Sequence, residues 1–276
     1  HVMCDFVLGE KHNTKLTRIS ILDYLRETKH SMAVFGYDPI NADTRSSYMK
    51  AIRESIDDPD DQSLLNYAVR QFTAKMLDDH NSLKQNACPA EKHMLDQIPH
   101  WLFPFHNLFL VPIPAFFFFF YAHQNVKSQV MCEISRLIPE NCTYLQNCVN
   151  ETLRMYGIVT TLMRTATEDM NFSYNHNGTA KVVKVFEGEQ LIILANFLTR
   201  DEEHFPNPGK FLPDRWQQLY NNAKATGKDI SYMESMFNIG PQQCPGKDIT
   251  RTMFVAFVHR FLHKHHNFEA HYEGDK

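Results

Sequence analysis

Phe-Asn-Ile-Gly-Pro-Gln-Gln-Cys-Pro-Gly, residues 237–246, directly precedes an amphipathic run over residues 247–263. Gly240 and Gly246 can adopt backbone angles that are closed to most residues, and two prolines stiffen the loop between them. The pattern predicts a helix that begins just after Cys244, where the positive end of the helix dipole favours a thiolate. Such a thiolate suits a single bond to a soft metal better than a disulfide. The alternative is a buried, inert cysteine, and this stretch alone leaves both interpretations open.

Length and composition predict a folded chain with a sizeable core. The 276 residues are 43% hydrophobic and 22% charged, as is typical of globular proteins. A net charge of −4 and the lack of a basic run argue against a nucleic-acid partner. The six cysteines are irregularly spaced, which predicts mostly free thiols in a reducing compartment.

Two further motifs lie upstream of the cysteine loop: Glu-Thr-Leu-Arg at 151–154 and Phe-Leu-Pro-Asp-Arg-Trp at 211–216. The first resembles the Glu-x-x-Arg of helix K in the cytochrome P450 superfamily, the haem-thiolate monooxygenases. The second resembles the family's Pro-x-Arg segment, and Phe-x-x-Gly-x-x-x-Cys-x-Gly resembles its haem-binding loop. Each motif alone is weak, whereas three in the family's order identify the chain as similar to that family. The resemblance covers residues 92–268 well and residues 1–91 weakly.

The resemblance implies a mainly α fold with a small β portion, forming a single domain over residues 1–276. The family's usual N-terminal part is missing, so we expect a C-terminal portion or a shortened member. Apolar spacing predicts helices over residues 15–30, 43–56, 62–79 and 141–156, with Asp43 as an N-cap. Residues 216–227 are expected to form a short helix and an irregular meander. Short β-like segments are expected over 159–164, 179–186 and 190–194. The acidic cluster 57–61 is predicted to be a solvated loop, and the alternative is a docking patch for a basic electron donor.

The resemblance implies that Cys244 is the proximal ligand of the iron in haem b, iron protoporphyrin. Phe237, Gly240, Gln242 and Gly246 are then the other cofactor-binding residues of the loop. Gln242 lies where the family usually has arginine or histidine for a haem propionate. An amide forfeits the charge-assisted part of that hydrogen bond, which predicts weaker haem binding.

The resemblance implies supporting roles for four charged residues. Glu151 and Arg154 are neighbours on one helix surface, and Arg215 would add a second guanidinium to the same carboxylate. This arrangement would fix the helix to the loop before the cysteine. The alternative is a solvated surface pair worth only about 0.2–0.5 kcal/mol. Arg164 lies where relatives use a basic residue to bind a haem propionate.

Residues 101–122 are the most apolar stretch, and about 20 apolar residues are enough to cross a membrane. Three prolines and two polar residues favour a buried helix instead, as the counterpart of the family's helix I over residues 95–122. Each interior proline costs about 3 kcal/mol, which predicts a break near 104–114. The family's oxygen-activating threonine is absent, and His106 and Asn107 are the candidate catalytic residues. His106 is suited to proton shuttling, and the alternative is a histidine satisfied by a nearby carbonyl.

The resemblance implies an oxidoreductase that inserts one oxygen atom from O2 into a small apolar substrate. Its electrons would come from a reductase or a ferredoxin. The absent threonine leaves open an isomerase or peroxygenase type, or a catalytically silent truncated haem protein. A more distant alternative is a His-rich metal-binding module built on His259 and His263. The implied location is the cytoplasm or the cytoplasmic face of a membrane, contacted through the missing N-terminal region.

Overall fold

The computed structural model divides the chain into two compact units, residues 1–106 and 107–276. In the first unit it describes Lys15, residues 19–24, Glu27, residues 41–44 and 46–48, and Lys50. In the second unit it describes residues 107–159, 161–176, 178–227, 231–240 and 243–265. The prediction of a single domain over residues 1–276 stays a prediction.

The sequence predicted two helices near the start of the first unit, over residues 15–30 and 43–56. The residues that the structure describes within these two segments are helical. The rings of Tyr24 and Tyr48 stack with centroids 4.1 Å apart, and Tyr48 is buried. The prediction that Asp43 is an N-cap was wrong, because Asp43 lies inside the helix. Its backbone N–H donates to Asn41 Oδ1 at 2.8 Å, so Asn41 caps this helix. The predicted helix over 62–79 and the acidic cluster 57–61 lie outside the described residues.

The second unit is mainly helical in the part that the structure describes. Its helices are α1 (Pro112–Ala122), α2 (Gln124–Ile134), α3 (Thr143–Met155), α4 (Ala195–Leu198), α5 (Asp214–Thr226) and α6 (Lys247–Lys264). Two 3-10 segments, Pro139–Asn141 and Ser231–Phe237, lie between them. The largest helices bury their apolar faces together, and this core includes Phe116, Phe120, Leu145, Val149, Phe254 and Val258.

A break precedes α1, as the prolines predict. Residues 107–110 are helical, Val111 is a turn with φ −128° and ψ −65°, and α1 begins at Pro112. A proline is favourable at this first position because its missing N–H would have no helical partner there. Among the described residues, no single helix is long and apolar enough to cross a membrane. One pair bent by 108°, residues 107–122 with 124–134, meets the criterion by length and composition alone.

The β portion consists of two antiparallel pairs among the described residues. Strand β1 (Thr161–Thr165) pairs with β4 (Gln190–Leu194), and β2 (Met170–His176) pairs with β3 (Thr179–Val185). The sequence predicted β1, β3 and β4 but missed β2, in which asparagine and serine alternate with aromatic residues. Asparagine is depleted in strands, and here the pairing with β3 compensates. The predicted fold class, mainly α with a small β portion, is confirmed.

Candidate functional site

The Glu151 carboxylate, in the last turn of α3, is fully buried and accepts five hydrogen bonds. Arg154 donates from Nε to Oε2 at 3.0 Å and from Nη2 to Oε1 at 2.9 Å. Arg215 donates from Nε to Oε1 at 3.0 Å. The Leu212 amide bonds Oε1 at 3.0 Å, and the Trp216 indole N–H bonds Oε2 at 2.9 Å. A buried carboxylate is costly unless it is paired and hydrogen-bonded, and these donors meet both conditions.

The two guanidiniums extend this network to the irregular backbone of residues 199–210. They donate to five carbonyl oxygens at 2.6–3.3 Å: Thr199 and Pro208 for Arg154, and Pro206, Asn207 and Lys210 for Arg215. Burial lowers the pKa of the Arg215 guanidinium, and the Glu151 carboxylate counteracts this change. The network therefore fastens the segment before α5 to the end of α3. We refer to Glu151, Arg154, Arg215, Leu212 and Trp216 as the Glu151 network.

Aromatic contacts connect the Glu151 network to the segment that leads into the cysteine loop. The guanidinium carbon of Arg154 lies 5.3 Å from the centroid of the Phe205 ring. Phe205 in turn meets Tyr232 in an edge-to-face contact with centroids 5.7 Å apart. Tyr232 belongs to the 3-10 segment that ends at Phe237. The network thus constrains the chain that immediately precedes the loop.

The cysteine loop is closed by its own backbone. The Cys244 N–H donates to the Phe237 carbonyl at 2.8 Å, across the turn. Asn238 and Gly240 adopt the left-handed conformation, with φ of 65° and 78°, which reverses the chain direction. The Lys247 N–H donates to the Cys244 carbonyl at 3.4 Å as α6 begins. Cys244 is therefore held, half-buried, at the N-terminus of a long helix.

The residues around Cys244 fit a haem bound through a single sulfur. Gly246 lies beside the sulfur, because a Cβ atom added to it would be in ordinary van der Waals contact with Cys244 Sγ at 3.8 Å. Among the described residues, no group of three or more His, Cys, Asp or Glu side chains is arranged to hold a metal ion. One thiolate suffices where a macrocycle supplies the other ligands of the iron.

The other candidate residues lie as follows. Arg164 is half-buried on β1, and its Nη1 donates to the neighbouring Met163 carbonyl at 2.8 Å. Asn107 is buried, and its carbonyl accepts the Val111 N–H at 3.2 Å. His106 and Gln242 lie outside the described residues.

The histidine pair of the alternative metal module lies on α6. The rings of His259 and His263 are nearly parallel, with centroids 6.2 Å apart. His259 Nε2 lies 2.8 Å from the Leu137 carbonyl, a distance at which the ring N–H donates to that oxygen. This bond gives His259 a structural role in joining α6 to the end of α2.

Two supporting residues were missed by the sequence analysis. Trp216 follows Arg215 directly, and its position beside a motif residue was the only available signal. Glu133 on α2 accepts the Tyr144 and Leu145 amides at 2.8 and 2.9 Å. It therefore caps the N-terminus of α3, where the local N-cap residue makes no side-chain bond. Glu133 lies on a different helix from the amides that it caps, so no local sequence pattern predicts this cap.

Comparison with known proteins agrees with the predicted fold class. The sequence model of the Cytochrome P450 family matches residues 27–275. Beta-amyrin 11-oxidase of Glycyrrhiza uralensis is 34% identical over 119 residues, which are 43% of this chain and 21% of that protein. Cytochrome P450 52C1 of Candida tropicalis is 28% identical over 156 residues, 52% of this chain and 29% of that protein. "Probable cytochrome P450 12e1, mitochondrial" of Drosophila melanogaster is 29% identical over 140 residues, 50% of this chain and 24% of that protein.

The chain belongs to the cytochrome P450 family. This family consists of oxidoreductases that bind haem iron, and monooxygenation is the activity that defines it. The chain spans less than a third of the length of the curated relatives described above. The activity, substrates and partners of the whole protein are therefore matters for proposal.

Proposed function

We propose that this chain carries the haem-thiolate centre of a monooxygenase that inserts one oxygen atom from O2 into an apolar organic substrate. The observation that carries the proposal is the position of Cys244, half-buried directly before α6 in a loop that is closed by the bond from its N–H to the Phe237 carbonyl. A haem b held there supplies the oxygen chemistry, because a thiolate ligand favours cleavage of the O–O bond.

The remaining residues have positioning roles in this proposal. The Glu151 network holds the backbone of residues 199–216 and, through Phe205 and Tyr232, the approach to the loop. Phe237, Gly240 and Gly246 shape the loop around the sulfur. Arg164 and Gln242 would contact the propionates of a bound haem, Arg164 as a cation and Gln242 as a neutral amide.

Proton handling distinguishes this chain from the family pattern. His106 and Asn107 are the proposed catalytic residues, and residues 95–122 contain no serine or threonine. Without the hydroxyl of a serine or threonine, the imidazole, the amide or water would deliver protons to the site. This observation supports a second candidate function within the family, a peroxygenase or isomerase type that does not depend on stepwise proton delivery to O2.

The proposed partners are a small apolar substrate and an electron donor, either a reductase or a ferredoxin. The proposed location is the cytoplasm or the cytoplasmic face of a membrane. One relative is named as mitochondrial, so the competing location is that organelle. Cell fractionation of the natural protein, with markers for cytosol, microsomes and mitochondria, distinguishes these locations.

The test is a ferrous–carbon monoxide spectrum of the full chain reconstituted with haem. Wild type should show the red-shifted Soret band of thiolate ligation, and Cys244→Ala should lose it. Cys132→Ala is the matched control, because Cys132 is an exposed cysteine on α2 and should leave the band unchanged. Identical spectra for wild type and Cys244→Ala would overturn the assignment. Turnover supported by a peroxide but not by an electron donor would favour the second candidate function.

A further inference from the structure

A concave pocket lies between the C-terminal half of α6 and the 3-10 segment Pro139–Asn141. Six residues line it: Pro139, Ala256, His259, Arg260, His263 and Lys264. Its volume is about 480 Å³. Pockets that hold small molecules have volumes of about 300–1,000 Å³, whereas a water molecule occupies only about 30 Å³ in the liquid. The pocket is therefore large enough for an organic molecule and not only for a single ion.

The polar residues that line this pocket are all basic. Arg260 and Lys264 carry full positive charges at neutral pH, and His263 gains one when it is protonated. Glu140 follows Pro139 in the 3-10 segment, but it is exposed and does not line the pocket. Among the described residues, none forms an ion pair with Arg260 or Lys264. In a chain with a net charge of −4, this concentration of positive charge is local to the pocket.

The basic residues are more numerous than the end of the helix requires. Arg260 and Lys264 are four residues apart on α6, and like charges at this spacing destabilise a helix. The negative end of the helix dipole compensates for part of this repulsion, but it is equivalent to only about half a charge. The two permanent cations carry four times as much. Most of their charge is therefore available to an anion.

The two histidines are held in place at the pocket by contacts that the structure already contains. His259 Nε2 lies 2.8 Å from the Leu137 carbonyl, so its ring N–H ties α6 to the chain just before the 3-10 segment. The His263 ring lies parallel to the His259 ring, with centroids 6.2 Å apart. The two walls of the pocket are thus joined in the free chain. Less ordering remains to be done when a ligand binds, which favours affinity.

We propose that this pocket binds a small phosphate-bearing molecule. The planar guanidinium of Arg260 is suited to two phosphate oxygens at once, and Lys264 adds a point charge. A phosphate ester with two negative charges matches these two cations, whereas a single carboxylate would leave one of them uncompensated. The carbon atoms of Ala256 and Pro139 would contact the organic part of the ligand. This inference goes beyond the proposed function, because it requires neither haem nor Cys244.

Calorimetric titration of the full chain with inorganic pyrophosphate tests the proposal. Wild type should bind one pyrophosphate per chain, and Arg260→Gln and Lys264→Gln should each weaken the affinity about tenfold. Lys224→Gln is the matched control, because Lys224 is an exposed lysine in the last turn of another helix, α5. Its affinity should equal that of wild type. The proposal is overturned if wild type shows no saturable binding, or if Lys224→Gln loses as much affinity as Lys264→Gln.

A further variant separates the pocket from an open basic surface. Ala256→Phe keeps every charge and places a ring where the pocket is now lined by a methyl group. It should weaken pyrophosphate binding as strongly as Lys264→Gln does, while circular dichroism shows that the chain remains folded. If a folded Ala256→Phe binds as wild type does, the charges attract anions at an open surface, as they would attract an acidic protein. The pocket is then rejected as the binding site.

The phosphate group could belong to a free metabolite or to a lipid headgroup, and vesicles distinguish these sources. The chain is sedimented with phosphatidylcholine vesicles that contain or lack phosphatidic acid. A free metabolite predicts pyrophosphate binding without sedimentation. A lipid ligand predicts sedimentation with phosphatidic acid that is lost in Lys264→Gln and in Ala256→Phe. Sedimentation that persists in both variants would contradict the assignment of phosphate binding to this pocket.

Discussion

Replacing Glu151 with glutamine should break the Glu151 network while barely changing the side-chain volume. Oε1 accepts from Arg154, Arg215 and the Leu212 amide, and Oε2 accepts from Arg154 and Trp216. A glutamine side chain has one oxygen and one NH2 group. In either orientation, the NH2 group faces at least two donors that lose their acceptor.

The magnitude follows from the burial of the carboxylate. Removing one partner of a buried ion pair costs about 3–5 kcal/mol, because the opposite charge is left uncompensated. Each 1 kcal/mol lowers the melting temperature of a domain of this size by about 2–4 °C. Glu151→Gln should therefore melt about 6–20 °C below wild type. A solvated surface pair, by comparison, would shift the melting temperature by about 2 °C or less.

The assay is calorimetric unfolding of the haem-free chain, followed by measurement of the haem retained after reconstitution. Glu202→Gln is the control, because it removes the same charge from an exposed side chain. Glu151→Gln should unfold at a lower temperature and retain less haem than this control. If Glu151→Gln and Glu202→Gln have the same melting temperature, the network does not stabilise the fold as the contacts indicate, and our reasoning is refuted.

Three further predictions concern neighbouring groups. Trp216→Phe removes one hydrogen bond to the buried carboxylate and should cost about 1.5–3 kcal/mol in denaturant unfolding; an unchanged midpoint would contradict it. Glu133→Ala removes the cap of α3 and should cost about 0.5–2 kcal/mol in the same assay, whereas equal stability would show that water replaces the carboxylate. Burial raises the pKa of Cys148 well above its usual value. Alkylation followed by mass spectrometry should therefore modify the exposed Cys132 in the native chain and Cys148 only after unfolding; native labelling of Cys148 would be the contrary result.

Local sequence patterns were sufficient to predict most of the described helices, but they were less accurate for the residues at which those helices begin and end. The helix predicted over 141–156 is α3, Thr143–Met155. Its start was predicted two residues early because the cap comes from Glu133 on another helix. Strand β2 was missed because its side chains include residues that disfavour strands, and its partner β3 determines its conformation.

The meeting of Glu151, Arg154 and Arg215 could be expected from the order of the motifs but not from local spacing. Glu151 and Arg215 are 64 residues apart, and a pair three residues apart on a helix is equally compatible with solvent exposure. The hydrogen bond from the Leu212 amide to Glu151 could not be predicted at all, because a backbone donor has no sequence signature. Roles for Cys244, Arg164 and Gln242 in haem binding stay predictions.

The form of the Glu151 network follows from the backbone that it holds. Well-packed apolar residues often replace a buried ion pair without loss of stability. Here such a replacement would also leave five carbonyl oxygens of residues 199–210 without their guanidinium donors. Pro206 and Pro208 have no backbone N–H, so this segment cannot supply those donors by forming regular secondary structure. Planar guanidiniums with five N–H groups can serve a carboxylate and several carbonyls at once. We infer that the arginines are required by the irregular segment, which in turn determines where α5 and the approach to Cys244 begin.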